Sequence, residues 1–298
     1  MDIKRIIPFL AMPLLLLAVE FGALLIALPV QAAGLVAFQD PGSIANPFIF
    51  IAILLVFTAF LLVLIKFDLR KVIALVIGIS IFLTFGYIFA AFVPMLTSDP
   101  AISPIAIIVL AVIATLLLYK YPEWYVIDVL GVLIGAGVAS IFGVSLEILP
   151  VLILLILLAV YDAISVYKTR HMITLAEGVI DLKTPILFVV PKRRDYSFIR
   201  EGIGKLGDGG ERAAFIIGMG DMIMPSILVV SANVFITGGP RLLGSLNLPA
   251  LGAVIGSLAG LAVLLHFVKT GKPQAGLPPL NGGTILGFLA GWALLGFI

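Results

Sequence analysis

Asp162 and Asp221 each interrupt a run that is otherwise apolar, 146–167 for the first and 213–236 for the second. A carboxylate at membrane depth is costly, by about 2.5 kcal/mol or more on insertion scales, so such residues mark a site of function. Two carboxylates sharing one site repel, and their titration splits so that one keeps a proton while the other is ionised near neutral pH. The ionised partner takes a proton from a water attacking a peptide carbonyl, and the protonated partner donates to the carbonyl oxygen as it becomes tetrahedral. This chemistry requires no metal and no cofactor. The same two acids could instead relay protons or bind a cation in transport, so both readings stand on the aspartates alone.

The residues around Asp221 favour close approach. In Gly218-Met219-Gly220-Asp221 the glycines remove side chains beside the carboxylate and let another backbone come near. Pro225 has no N–H, so the carbonyl of Asp221 lacks its usual partner four residues on, and the helix is expected to loosen there. Farther along, Pro278 and Pro279 precede Leu280. Two consecutive prolines are expected to hold extended backbone, a wall along which an unwound substrate could lie.

The elements that must position these residues follow from composition. Of 298 residues, 62% are hydrophobic and only 11% charged, which makes the chain an all-α polytopic membrane protein. Nine candidate helical spans can be drawn, at 6–30, 47–65, 72–93, 101–119, 124–143, 146–167, 213–236, 248–268 and 278–298. With the N-terminus in the cytoplasm and the C-terminus outside, only Arg241 among the 18 lysines and arginines falls on the outer side. A single membrane domain over 1–298 is expected, with spans one to six in 1–167, a cytoplasmic loop at 168–212 and spans seven to nine in 213–298. The N-terminal run resembles a signal peptide but is too long for one, and is read as a retained helix. On these spans Asp162 and Asp221 lie about 9 and about 13 Å along their helices from the cytoplasmic side.

Several classes are excluded. Cysteine is absent, which removes disulfides, thiol nucleophiles and cysteine metal sites. Only His171 and His266 occur, without zinc-protease spacing, and nothing points to nucleic acid. Glu20 and Asp128 are read as lying near an interface or pairing locally, and His266 as reaching the inner face. Small residues recur every four positions at Gly131, Gly135, Ala139 and Gly143, at Gly252, Gly256 and Gly260, and at Gly283, Gly287 and Gly291. These are read as helix-packing seams, with a homo-oligomer through them as the lesser reading. The stretch 179–191, rich in β-branched and aromatic residues, is read as a strand or hairpin whose edge could hold an unwound substrate, or else as a plain loop.

Tyr161-Asp162 in the sixth span, Gly-x-Gly-Asp at 218–221 in the seventh and Pro-x-Leu at 278–280 before the ninth resemble the three signatures of presenilin and signal peptide peptidase, the intramembrane aspartyl proteases. The likeness extends over the nine-span layout and is nearest to the microbial presenilin homologues. It implies that Asp162 and Asp221 are the catalytic pair, that Tyr161, Gly218, Met219 and Gly220 form their setting, and that Pro278, Pro279 and Leu280 face the substrate. It also implies transmembrane protein substrates with an external N-terminus, in the cell membrane of a prokaryote. No obligatory subunit is evident, although animal presenilins need partners. Met219 stands where presenilins carry leucine, Pro279 where the Pro-Ala-Leu form has alanine, and the loop 168–212 is far shorter than theirs. Activation by cleavage in that loop is therefore not expected. No inverted repeat of the kind many transporters carry is visible, which weighs against transport.

Overall fold

The computed structural model of the chain describes residues 3–97, 99–169, 187–193, 195–202, 214–242, 245–268 and 274–296. Long helices follow one another in chain order: α1 (Ile3–Ala32), α2 (Ala45–Lys66), α3 (Arg70–Leu96), α4 (Ile102–Lys120), α5 (Trp124–Ser145) and α6 (Ile148–Ile164). After them come strand β1 (Leu187–Pro191), the short helix α7 (Phe198–Glu201), strand β2 (Ala214–Gly218) and α8 (Met219–Phe235). A two-residue hairpin, β3 (Arg241–Leu242) with β4 (Leu246–Asn247), precedes α9 (Leu248–Val268) and α10 (Leu277–Leu295). Among the described residues, seven helices are long and apolar enough to cross a membrane.

The helices α1, α5 and α8 form the centre of the bundle, with α9 and α10 packed on α8 and α6 set against α10. The glycine seams are internal. A Cβ added at Gly256 would lie 2.1 Å from the Gly283 carbonyl oxygen, and one at Gly252 would lie 2.2 Å from that of Gly287. Backbone therefore rests directly on backbone, and only hydrogen fits between α9 and α10. The α5 seam serves two neighbours: Gly135 abuts Val19 of α1, and Gly143 abuts Val230 of α8. Together these seams lock α10, and with it the turn that precedes Leu277, to the rest of the bundle.

The expected start of the seventh helix is corrected. Residues 214–218 are strand, not helix, and α8 begins only at Met219. Phe215, Ile216 and Ile217 favour extended backbone, and Gly218 and Gly220 are poor helix formers, so a short apolar run that hydropathy cannot distinguish from helix resolves to strand. At 17 residues, α8 is about 25 Å long against a hydrocarbon thickness of about 30 Å. β2 precedes it in the chain, with one of its two edges paired to β1. The pairing is antiparallel, from Leu187 opposite Gly218 to Pro191 opposite Ala214. The described part of the expected strand at 179–191 is thus strand, and 179–186 lie outside the described residues. Lys192 sits 4.7 Å from the centre of the Phe215 ring, a cation–π contact that ties the open end of this hairpin.

The sixth span ends near the expected residue but changes its helix type there. The α-helix stops at Ile164 and continues as a π-helical turn, Ser165–Thr169, in which the Ser165 hydroxyl donates to the Tyr161 carbonyl at 2.7 Å. Such wide turns are frequent at functional sites because they re-aim the residues beside them.

Glu20 is neither interfacial nor locally paired. It is fully buried, and its Oε1 lies 2.6 Å from the Ser257 hydroxyl, joining α1 to α9 across 237 residues of sequence. Hydropathy places a residue along a helix but not on a face, and this face of α1 points into the bundle.

Candidate active site

Asp162 is positioned by α6, two residues before the helix gives way to the π turn, and is only 6% exposed. Its Oδ2 accepts a hydrogen bond from the Leu277 N–H at 3.0 Å. Leu277 opens α10, and its N–H is one of the first-turn donors that no helical carbonyl can satisfy. The carboxylate of α6 therefore caps α10 from a distance of 115 residues.

Asp221 occupies the first turn of α8, not a point about 13 Å along a helix as the expected span placed it. It is half-buried, and its neighbour Gly220 is exposed with nothing within 4 Å of where a Cβ would be. On its other side the carboxylate presses against Gly276: a Cβ there would lie 2.5 Å from Oδ2 and 2.8 Å from Cγ. The two carboxylates thus meet across a single stretch of main chain, Gly276-Leu277, one hydrogen-bonded to it and the other packed on it.

This stretch is braced by the π turn. The Tyr167 hydroxyl lies 2.9 Å from Oε1 of Gln274, and it accepts from the Ala275 N–H at 3.3 Å. Asn281, one turn into α10, is fully buried and donates through Nδ2 to the Leu155 carbonyl at 2.9 Å. Each bond ties α10 or its lead-in to α6, so the separation of Asp162 from Gly276 is held from both ends.

The remaining residues singled out in the sequence divide into two groups. Gly218 lies beside the pair, 3.6 Å from Oδ2 of Asp221 by its Cβ position. Tyr161 is half-buried on α6 next to Asp162. Met219 turns away: its Cε would meet a Cβ at Gly131 at 2.8 Å, on α5. Pro278 and Pro279 are not extended, which corrects the expectation of an unwound wall. They sit in the first turn of α10, where a missing N–H is harmless and a fixed φ fits the helix. Pro278 faces an apolar groove of about 290 Å³ between α6 and α10, whereas Pro279 and Leu280 abut Gly260 of α9, and Leu280 is fully buried.

Sequence reasoning missed Gly276, Leu277, Tyr167 and Asn281. Only Gly276 carried a usable signal, as a glycine directly before the proline motif. For Asp128 only the local pairing is corrected. It does not pair locally but accepts from the Val189 N–H at 2.8 Å, reaching from α5 to the strand β1.

Two neighbouring carboxylates, Asp162 buried and Asp221 half-buried, in a bundle of helices apolar enough to cross a membrane are what an aspartyl hydrolase of the membrane interior requires. The family model for signal-peptide peptidase, presenilin aspartyl protease matches residues 12–297, and the chain belongs to that family. Two solved structures of a presenilin family intramembrane aspartate protease, in C222 and P2 space groups, are 53% identical to it. They cover 96% of this chain, and it covers 99% and 98% of theirs, with TM-scores of 0.71 and 0.70. No curated protein sequence matches. The protein is a multi-pass intramembrane aspartyl protease, and the transport reading finds no support.

Proposed function

We propose that Asp162 and Asp221 are the catalytic pair, and the observation that carries this is their meeting across the Gly276-Leu277 backbone. The pair shares one proton. The ionised member accepts the proton of a water as the water attacks the scissile carbonyl, and the protonated member donates to the carbonyl oxygen. Collapse of the tetrahedral species breaks the C–N bond: the proton taken from water goes to the leaving amine, and a hydroxyl of the diol returns its proton to the other carboxylate, so the pair again holds one proton. Water reaches the pair past Asp221, the more exposed of the two and the one beside Gly220.

The peptide bond must be extended before it can be attacked, and the sheet offers the means. In an antiparallel pair, opposed residues either exchange both main-chain bonds or point them outward. The Val189 N–H points to Asp128, so its partner Ile216 also points outward, on the far edge of β2. The edge of β1 is engaged by Asp128, and the edge of β2 remains for a substrate strand. That edge runs through Gly218 into α8 and leads to Asp221. The apolar groove between α6 and α10 reaches Ala163, beside Asp162, and gives a transmembrane segment a path from the lipid.

The full reading is a single nine-span membrane domain over 1–298 with a cytoplasmic N-terminus. The two helices α8 and α10 serve as spans seven and nine. Its substrates are single-pass segments with an external N-terminus, in a prokaryotic cell membrane, and it acts without an obligatory subunit. Incubating the purified chain in detergent with a single-pass transmembrane peptide should yield fragments cut inside the apolar segment, read by mass spectrometry; intact peptide would count against solitary action. Ile216→Pro removes the outward N–H without touching a β1–β2 bond. It is expected to cut turnover at least tenfold, from about 1.4 kcal/mol for one substrate hydrogen bond lost and the edge disturbed. Unchanged turnover would place the substrate elsewhere.

A further inference from the structure

A second groove lies between α3 and α4, with a volume of about 850 Å³. Its walls are Leu75, Gly78 and Phe82 on α3 and Val112, Leu116 and Tyr119 on α4. The two helices pack on each other through a separate seam that includes Phe85, Ile88, Ala111 and Ala114. Below that seam they leave a cleft, because Gly78 has no side chain and nothing lies within 4 Å of its Cβ position. Two hydroxyls line it: Thr115 donates to the Ala111 carbonyl at 2.7 Å, and Tyr119 stands in the last turn of α4 beside Lys120. Away from Tyr119 and the lysine at its mouth, the wall is hydrocarbon.

The mouth is different. Lys71 lines it, and Lys120 flanks it next to Tyr119. Among the described residues neither lysine is in an ion pair. The nearest acids in sequence are engaged: Asp68 pairs with Arg70 at 2.7 Å, and Glu123 accepts from Ser197 Oγ and the Phe198 N–H. The mouth is therefore cationic above an apolar slot.

Length selects the occupant. From Lys71 to Phe82 the slot runs about 16 Å along α3, which is about half of a hydrocarbon core of about 30 Å. A transmembrane helix would need the full thickness, whereas a lipid chain occupies one leaflet and places its headgroup at the surface. We infer that the groove between α3 and α4 binds one anionic phospholipid, with an acyl chain in the slot beside Gly78 and its phosphate on Lys71 and Lys120. This site is separate from the aspartates and does not depend on which bond they cleave.

The test is native mass spectrometry of the full chain, stripped of lipid in detergent and titrated with phosphatidylglycerol or phosphatidylcholine. The parent should take up one phosphatidylglycerol ahead of all others, and each lysine should contribute about fivefold to the preference over phosphatidylcholine. Both lysines are exposed, so Lys71→Gln with Lys120→Gln folds normally and should lose the preference. Gly78→Phe fills the slot and should lose the first bound lipid of either headgroup. Parent protein without headgroup preference, a preference that survives loss of both lysines, or a first lipid retained by a folded Gly78→Phe would each overturn the proposal.

Discussion

Asparagine in place of Asp162 or Asp221 should abolish cleavage of a transmembrane peptide while leaving the protein folded. Each carboxyl takes part in proton transfer at the reacting carbonyl, a contribution of about 10²- to 10⁴-fold per group. The two act as a unit, so the double variant should be scarcely worse than either single one. At position 162 asparagine is more informative than alanine. Its amide oxygen still accepts from the Leu277 N–H, so α10 keeps its cap and only the exchangeable proton is lost. Alanine would also leave that N–H unpaired, costing about 1–3 kcal/mol and confusing a folding defect with a catalytic one. Cleavage should be followed by mass spectrometry beside thermal unfolding of the same samples. Turnover near the parental rate in either asparagine variant, with unfolding unchanged, would sink the paired mechanism.

Gly276→Ala should be nearly as damaging, although it adds one methyl group outside every residue the sequence motifs point to. The backbone at Gly276 is ordinary right-handed helical, with φ −80° and ψ −40°, so alanine fits without strain. The methyl would lie 2.5 Å from Oδ2 of Asp221, inside van der Waals contact, and the carboxylate must move. A displacement of about 1 Å at a reacting group costs about 10²-fold. The expected signature is a fall in kcat with little change in KM, since the groove and the β2 edge are untouched. Gly86→Ala is the control, because nothing lies within 4 Å of that position. Equal kcat for the two alanine variants would mean that Asp221 does not need its place against Gly276.

The membrane class, the helix positions and the two aspartates were legible in the chain itself. Hydropathy sums over neighbours, so runs of about 20 apolar residues declare themselves without tertiary knowledge, and a carboxylate inside such a run stands out by its cost. The glycine periodicity of α9 and α10 was legible for the same reason: spacing by four fixes a face. The start of α8 was not. Phe215-Ile216-Ile217 is equally apolar as strand or helix, and its partner β1 decides between them. Nor were the first-turn place of Pro278 and Pro279, the burial of Glu20 against Ser257, or the reach of Asp128 to Val189.

Sequence by itself determined what the protein is made to sit in and which two side chains are worth the cost of being there. Tertiary structure decided how those side chains meet. The Gly276-Leu277 backbone lies between them because α9 and α10 pack glycine on glycine and because Tyr167 and Asn281 hold α10 to α6. Transfer energies are local and can be summed along a chain, whereas a contact across 115 residues exists only once many helix faces have chosen their partners together.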